Sequence, residues 1–221
     1  MNCSTSATDW CVSNDFVSAT QISLPVHFDI INGLSYMSSW VPTVYIVVLF
    51  IAMVLKPTPT KIAYLSVFAS SLILNEFLIK PIVSQPRPCG TCLCPPNHRC
   101  QGMPSSHSVV SIATYTFFLL EFCFRRQYSI ASKPTSTGDA SRGYDDTKKV
   151  IFIVLVVTLL FLPVPISRVM LLDHSVAQIS IGSMIGVLFG SLNFLVRHVW
   201  LPELPGQACL VGRVKKSTLV R

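Results

Sequence analysis

Five stretches of this 221-residue chain are long, apolar and almost free of charge: residues 39–55, 62–79, 107–124, 150–166 and 175–196. Each is about as long as the ~20 residues a helix needs to cross a hydrocarbon core. A backbone in hydrocarbon must satisfy its own hydrogen bonds, so such a chain folds as a bundle of helices. Composition agrees, with 51% hydrophobic and only 12% charged residues, where a soluble domain carries about 25% charged. The expected fold is therefore all-α, a polytopic transmembrane bundle of about five spans. Pro57 and Pro59 end the first span, and Pro163 and Pro165 fall near the end of the fourth, because proline cannot donate to the helix ladder. The first Lys or Arg is Lys56, so the basic start of a cleavable signal peptide is missing and the first span is read as retained.

Orientation follows from the basic residues. Of 17 Lys and Arg, 13 fall in the turn at 56–61, the polar stretch 125–149 and the region beyond 196. With five spans these lie on one side, which the positive-inside rule makes cytosolic. The chain then divides into a luminal N-terminal segment (1–38), a membrane domain (39–200) with a luminal loop at 80–106 and a flexible cytosolic linker at 125–149, and a basic cytosolic tail (201–221). The net charge of +7 reflects this topology. No basic stripe interleaved with aromatics points to nucleic acid, which is not expected as a partner.

Lys80, Arg87, Arg99 and Arg168 lie on the opposite, luminal side. Three of them belong to clusters at span edges. Lys80 and Arg87 are seven apart in a proline-stiffened segment; Lys offers a point charge and Arg a planar fork to phosphate. Pro104-Ser105-Ser106-His107 opens the third span, and a serine-capped helix N-terminus is an anion site. Ser167-Arg168 closes the fourth span, and His174 and Gln178 open the fifth at helical spacing. A side-chain oxygen from Gln178 can orient the His174 ring and leave its other nitrogen free to attack. Taken singly, these groups also suit snorkelling cations and plain helix caps. Together they outline phosphoryl transfer, with His174 as nucleophile, His107 as general acid and protein cations, not a metal, facing the phosphate.

Lys80-x6-Arg87-Pro88, Pro104-Ser105-Ser106-His107 and Ser167-Arg168-x5-His174 resemble the three signature motifs of the type 2 phosphatidic acid phosphatase superfamily, in its order, across residues 40–200. The resemblance implies a phosphohistidine on His174, acid catalysis by His107, and phosphate binding by Lys80, Arg87, Ser105, Ser106 and Arg168, with no cofactor. Two positions depart from the general pattern: Ser106 stands where Gly is usual, and Gln178 where Asp is usual. Both, together with Leu74-Asn75-Glu76, Pro86-Arg87-Pro88-Cys89-Gly90, Gly102-Met103 and Val169-Met170-Leu171, look like the dolichyldiphosphatase branch. That branch implies hydrolysis of dolichyl diphosphate to dolichyl phosphate at the luminal face of the endoplasmic reticulum membrane, recycling the carrier lipid for N-glycosylation. Other readings are a phosphatase of phosphatidate, sphingoid phosphates or other polyprenyl diphosphates, and an inactive scaffold of the same fold, to which a neutral Gln178 would be suited. Asp173, next to His174, is not expected to replace the missing Asp.

Cys89, Cys92, Cys94 and Cys100 crowd the luminal loop. Disulfides, zinc and free thiols all remain open, and an oxidising compartment favours disulfides. Gly182, Gly186 and Gly190 form a small-xxx-small series suited to close helix packing inside one bundle or, less readily, to a homodimer.

Overall fold

Asp29 starts the first helix. Its carboxylate accepts from Asn32 N at 2.7 Å, capping α1 (Ile30–Leu55), as an acidic N-cap does. The structure, a computed structural model, describes residues 11–12, 24–25, 29–85, 87, 101–132 and 140–200. After α1 the chain turns at Lys56. The Lys61 ammonium closes this turn by donating to the carbonyls of Ala52 and Lys56 at 2.7 and 2.8 Å. Thr58 caps α2 (Pro59–Leu74), with Pro59 in its first turn, where proline's missing N–H costs nothing.

A π-helical turn (Asn75–Ile79) and the short α3 (Lys80–Val83) continue α2. Then come α4 (Ser106–Ser132), α5 (Ala140–Phe161), α6 (Pro163–Met170) and α7 (Val176–Trp200). Among the described residues five segments are long and apolar enough to span a membrane: Ile30–Leu55, Pro59–Val83, Ser106–Phe124, Lys148–Met170 and Val176–His198. The all-α, five-span expectation holds. Among the described residues β-structure is limited to a two-residue antiparallel ladder, Cys11–Val12 (β1) with Leu24–Pro25 (β2), and an isolated bridge at Gln101.

Several boundaries differ from the sequence reading. The first helix begins nine residues before position 39: no proline interrupts residues 30–38, and the helix, capped by Asp29, carries Gly33 within it. The stretch 125–149 is helical as far as Ser132 and again from Ala140; charge alone does not end a helix, and Pro134 and Gly138 lie outside the described residues. The fourth span is two helices, α5 and α6, broken at Leu162, where Pro163 and Pro165 remove two donors. Cys89, Cys92, Cys94 and Cys100 and the tail from 201 also lie outside the described residues.

The bundle is organised around α4. Its span is 56% buried, against 11–22% for the other four. Val109, Ala113 and Phe117 are fully enclosed, and the Phe117 ring packs edge-on to Tyr64 at 5.1 Å. The most extensive contact is between α4 and α7. A Cβ built on Gly186 would meet the Val109 carbonyl at 2.7 Å, and one on Gly190 the Ala113 carbonyl at 2.5 Å. The glycine series is thus occupied within one chain, as intramolecular packing requires. At the end of the bundle remote from Lys80, buried Glu121 holds His198 Nε2 at 2.8 Å and Arg197 at 3.4 Å. The His198 ring sits between those of Phe124 and Phe194. Apolar side chains such as Val47, Ile51, Phe152 and Leu188 face outward, while Ser39, Ser71, Ser108 and Ser111 face inward. Membrane bundles pack in this way, with small and polar residues between helices.

Candidate active site

The end of α2, the starts of α4 and α7, and α6 converge at one end of the bundle. The π-turn determines how Lys80 arrives there. Val67, Phe68, Ser71 and Asn75 form the buried face of α2. In an uninterrupted α-helix, Lys80 would point roughly 165° from the middle of that face. The wider turn returns about 100° of this, and Lys80 is 4% exposed. Its ammonium lies 2.7 Å from Glu76 Oε1. The same carboxylate accepts a hydrogen bond from the Ser106 hydroxyl, and Asn75 Nδ2 donates to Ser106 Oγ at 3.0 Å. Ser106 therefore turns its hydroxyl toward α2 and presents its backbone to the helix start.

Ser105, not Ser106, is the N-cap of α4: its carbonyl accepts from Val109 N at 2.9 Å, and the helix begins at Ser106. Beyond α3 the backbone turns through Ser84, at φ 46°, toward Arg87. Gly102 then seats the returning strand against this arm. Its N–H donates to the Gln85 carbonyl at 2.7 Å, and a Cβ there would lie 2.8 Å from both Arg87 Cγ and Gln178 Nε2. Only a residue without a side chain brings Arg87 and Gln178 this close.

The segment after α6 is a tight turn rather than a helix, with Leu172 at φ 56°. The N–H groups of Asp173 and His174 both return to the Arg168 carbonyl, at 3.1 and 3.2 Å. Arg168 and Asp173, both fully buried, form an ion pair at 2.9 Å. Helical spacing is thus the wrong frame for Asp173, whose carboxylate faces Arg168. Behind Arg168, the Ser167 and Ser39 hydroxyls meet at 2.9 Å and fix α6 to α1. His174 lies just outside α7. Ser175 and Gln178 form a reciprocal cap, with Gln178 N–H on Ser175 Oγ at 3.3 Å and Ser175 N–H on Gln178 Oε1 at 3.2 Å. His174 Nδ1 lies 3.2 Å from the same Oε1. Because that oxygen accepts from Ser175, it also accepts from Nδ1, which must carry the proton; Nε2 is left with its lone pair.

Burial, then the charges of Arg87 and Arg168, hold the His174 pKa down to about 2, despite the bond to Gln178. Burial lowers that of Arg87, with Asp173 and Glu76 partly opposing. Three cations thus face two carboxylates, leaving a small net positive charge. Buried donors are oriented with no hydrogen-bond partner in the protein: Arg87 Nε and Nη1, Ser105 Oγ and His107 Nε2. Such groups are costly unless something satisfies them, and a tetrahedral oxyanion would. Among the described residues no three of His, Cys, Asp and Glu converge as metal ligands.

Lys80, Arg87, Ser105, Ser106, His107, Arg168, His174 and Gln178, read from the sequence, all lie in this region. The sequence reading missed Asn75, Glu76 and Asp173 as parts of it. The i,i+4 relation of Glu76 to Lys80 was the available signal for one of them.

The model of the PAP2 superfamily matches residues 60–201. The chain belongs to the PAP2 superfamily. Neither a curated protein nor a solved structure matches it. Members of this superfamily are phosphatases, and the five apolar helices support a multi-pass membrane protein.

Proposed function

We propose that the protein hydrolyses a polyprenyl diphosphate, in the form of dolichyl diphosphate, to the lipid monophosphate and phosphate, without a metal. The observation that carries this reading is the His174–Gln178 pair facing buried, unpartnered donors. His174 Nε2 attacks the terminal phosphorus and the bond to the bridging oxygen breaks. Protonated His107 gives its proton to that oxygen, and the lipid monophosphate leaves. His107 then takes a proton from water, which attacks the phosphohistidine, releasing phosphate and restoring His174. Arg87, Arg168, Lys80, the Ser105 hydroxyl and the N–H groups opening α4 stabilise the charge on the phosphoryl oxygens.

The dolichyl assignment draws on the branch markers. Asn75, Glu76 and Ser106 contact one another, and Gln178 holds the nucleophile, so these departures from the general motif form working contacts. The charge asymmetry of the loops supports a site facing the lumen of the endoplasmic reticulum. The test is phosphate release by the purified protein, with chelator, from dolichyl diphosphate, dolichyl phosphate and phosphatidate. The expected order puts dolichyl diphosphate first, with turnover abolished by His174→Ala. A preference for phosphatidate removes the dolichyl assignment; no turnover of any of the three removes the enzyme.

A further inference from the structure

One helical turn below the phosphate site, α1, α2 and α4 enclose a cavity of about 130 Å³. Thr43 and Ile46 of α1, Phe68 and Leu72 of α2 and Val110 of α4 wall it, and His107 closes its near end. The lining is apolar apart from that end. Thr43, Ile46 and Leu72 are partly exposed, and their neighbours Val44, Val47 and Ile73 face outward. The cavity therefore reaches the lipid-facing surface between α1 and α2.

In the reaction proposed above, His107 stands at the oxygen that leaves. The leaving group is a lipid monophosphate, so its phosphate lies beside His107 and its first carbons lie just beyond. The cavity continues from His107 in that direction. An apolar cavity of about 150 Å³ accepts a six-carbon ring, and the space here suits one branched five-carbon unit. We propose that this cavity is the subsite for the first isoprene unit of the leaving lipid phosphate, which enters from the bilayer between α1 and α2. The proposal rests on the phosphatase reading and adds the part of the chain that reads the lipid.

The test fills the cavity from its rim. Thr43→Trp and Ile46→Trp are compared with Val47→Trp, on the same helix but 52% exposed and facing away. Full-length protein is assayed on farnesyl diphosphate and on methyl diphosphate, which has the same headgroup and no chain. The two rim variants should lose at least about tenfold in kcat/KM on farnesyl diphosphate, stay within about twofold on methyl diphosphate, and leave Val47→Trp unaffected on both. Unchanged kcat/KM on farnesyl diphosphate, or equal losses on the two substrates, overturns the subsite and leaves the phosphatase standing. If the unaltered protein turns over neither substrate, the phosphatase reading fails and the subsite with it.

Discussion

At the scale of single residues, the consequence of Gln178 for the proposed reaction is that His174 enters it neutral. With its pKa near 2, His174 holds a free lone pair across the measurable pH range, so it does not set the acid limb of kcat/KM. Gln178→Glu keeps the length of the side chain and adds a negative charge beside Nδ1–H. That charge favours the imidazolium and raises the His174 pKa, so the acid limb should move to higher pH, as a pH–rate profile will register. Glu76 makes a second case. Its carboxylate neutralises Lys80 and anchors Ser106. Glu76→Gln retains an acceptor for Ser106 and frees the charge of Lys80, so inorganic phosphate should become a tighter competitive inhibitor by about tenfold, equivalent to ~1.4 kcal/mol. Glu76→Ala loses the anchor as well and should lower kcat. The sequence made His174, His107 and the cations legible because each motif is a local string of residues. It did not make Asp173 legible, because the Arg168–Asp173 pair depends on a left-handed turn at Leu172, a conformation that leucine does not announce.

At the scale of elements, the π-turn and the glycine face carry the argument. Deleting exposed Phe77 (79% exposed) would remove the one extra residue that the π-turn absorbs, returning the end of α2 to α-helical phase with Lys80 still toward the buried side. The deletion should therefore retain far more activity than Lys80→Ala, whereas one alanine inserted after Phe77, which turns Lys80 outward by about 100°, should cost as much as Lys80→Ala while the protein still inserts into membranes; kcat/KM and membrane fractionation test this together. The helices themselves were legible from apolar length; the π-turn was not, since one inserted residue leaves no trace in composition or periodicity. Gly190→Val should destabilise the protein by about 1–3 kcal/mol, because its Cβ meets the Ala113 carbonyl at 2.5 Å and a backbone cannot rotate aside. Thermal unfolding in detergent measures this.

At the scale of the whole molecule, the buried ionisable groups are arranged at the two ends of the α4 span. His107 lies at one end; Glu121, with Arg197 and His198, lies at the other. The remaining surface of the spans is largely apolar side chain. An epitope at the C-terminus should be reached by antibody in sealed microsomes without detergent, while hydrolysis of an added impermeant substrate should require the membrane to be opened. The overall layout was legible because the five runs, their loops and their charges are written along the chain. The cavity between α1, α2 and α4 was not, since it depends on how three separated helices lean together.

The glycine face of α7 has one more consequence. A Cβ on Gly182 would lie 3.1 Å from the Ser105 carbonyl, and α4, which opens with His107, and α7, which follows His174, lie backbone to backbone from there inward. The gap between His107 and His174 is therefore set by main-chain contact and not by compressible side chains or by lipid. When a bilayer thickens or thins, outer helices accommodate by tilting, while this pair keeps its spacing. The catalytic distance is insulated from the membrane that surrounds it, and turnover per bound substrate should change little between bilayers of different thickness.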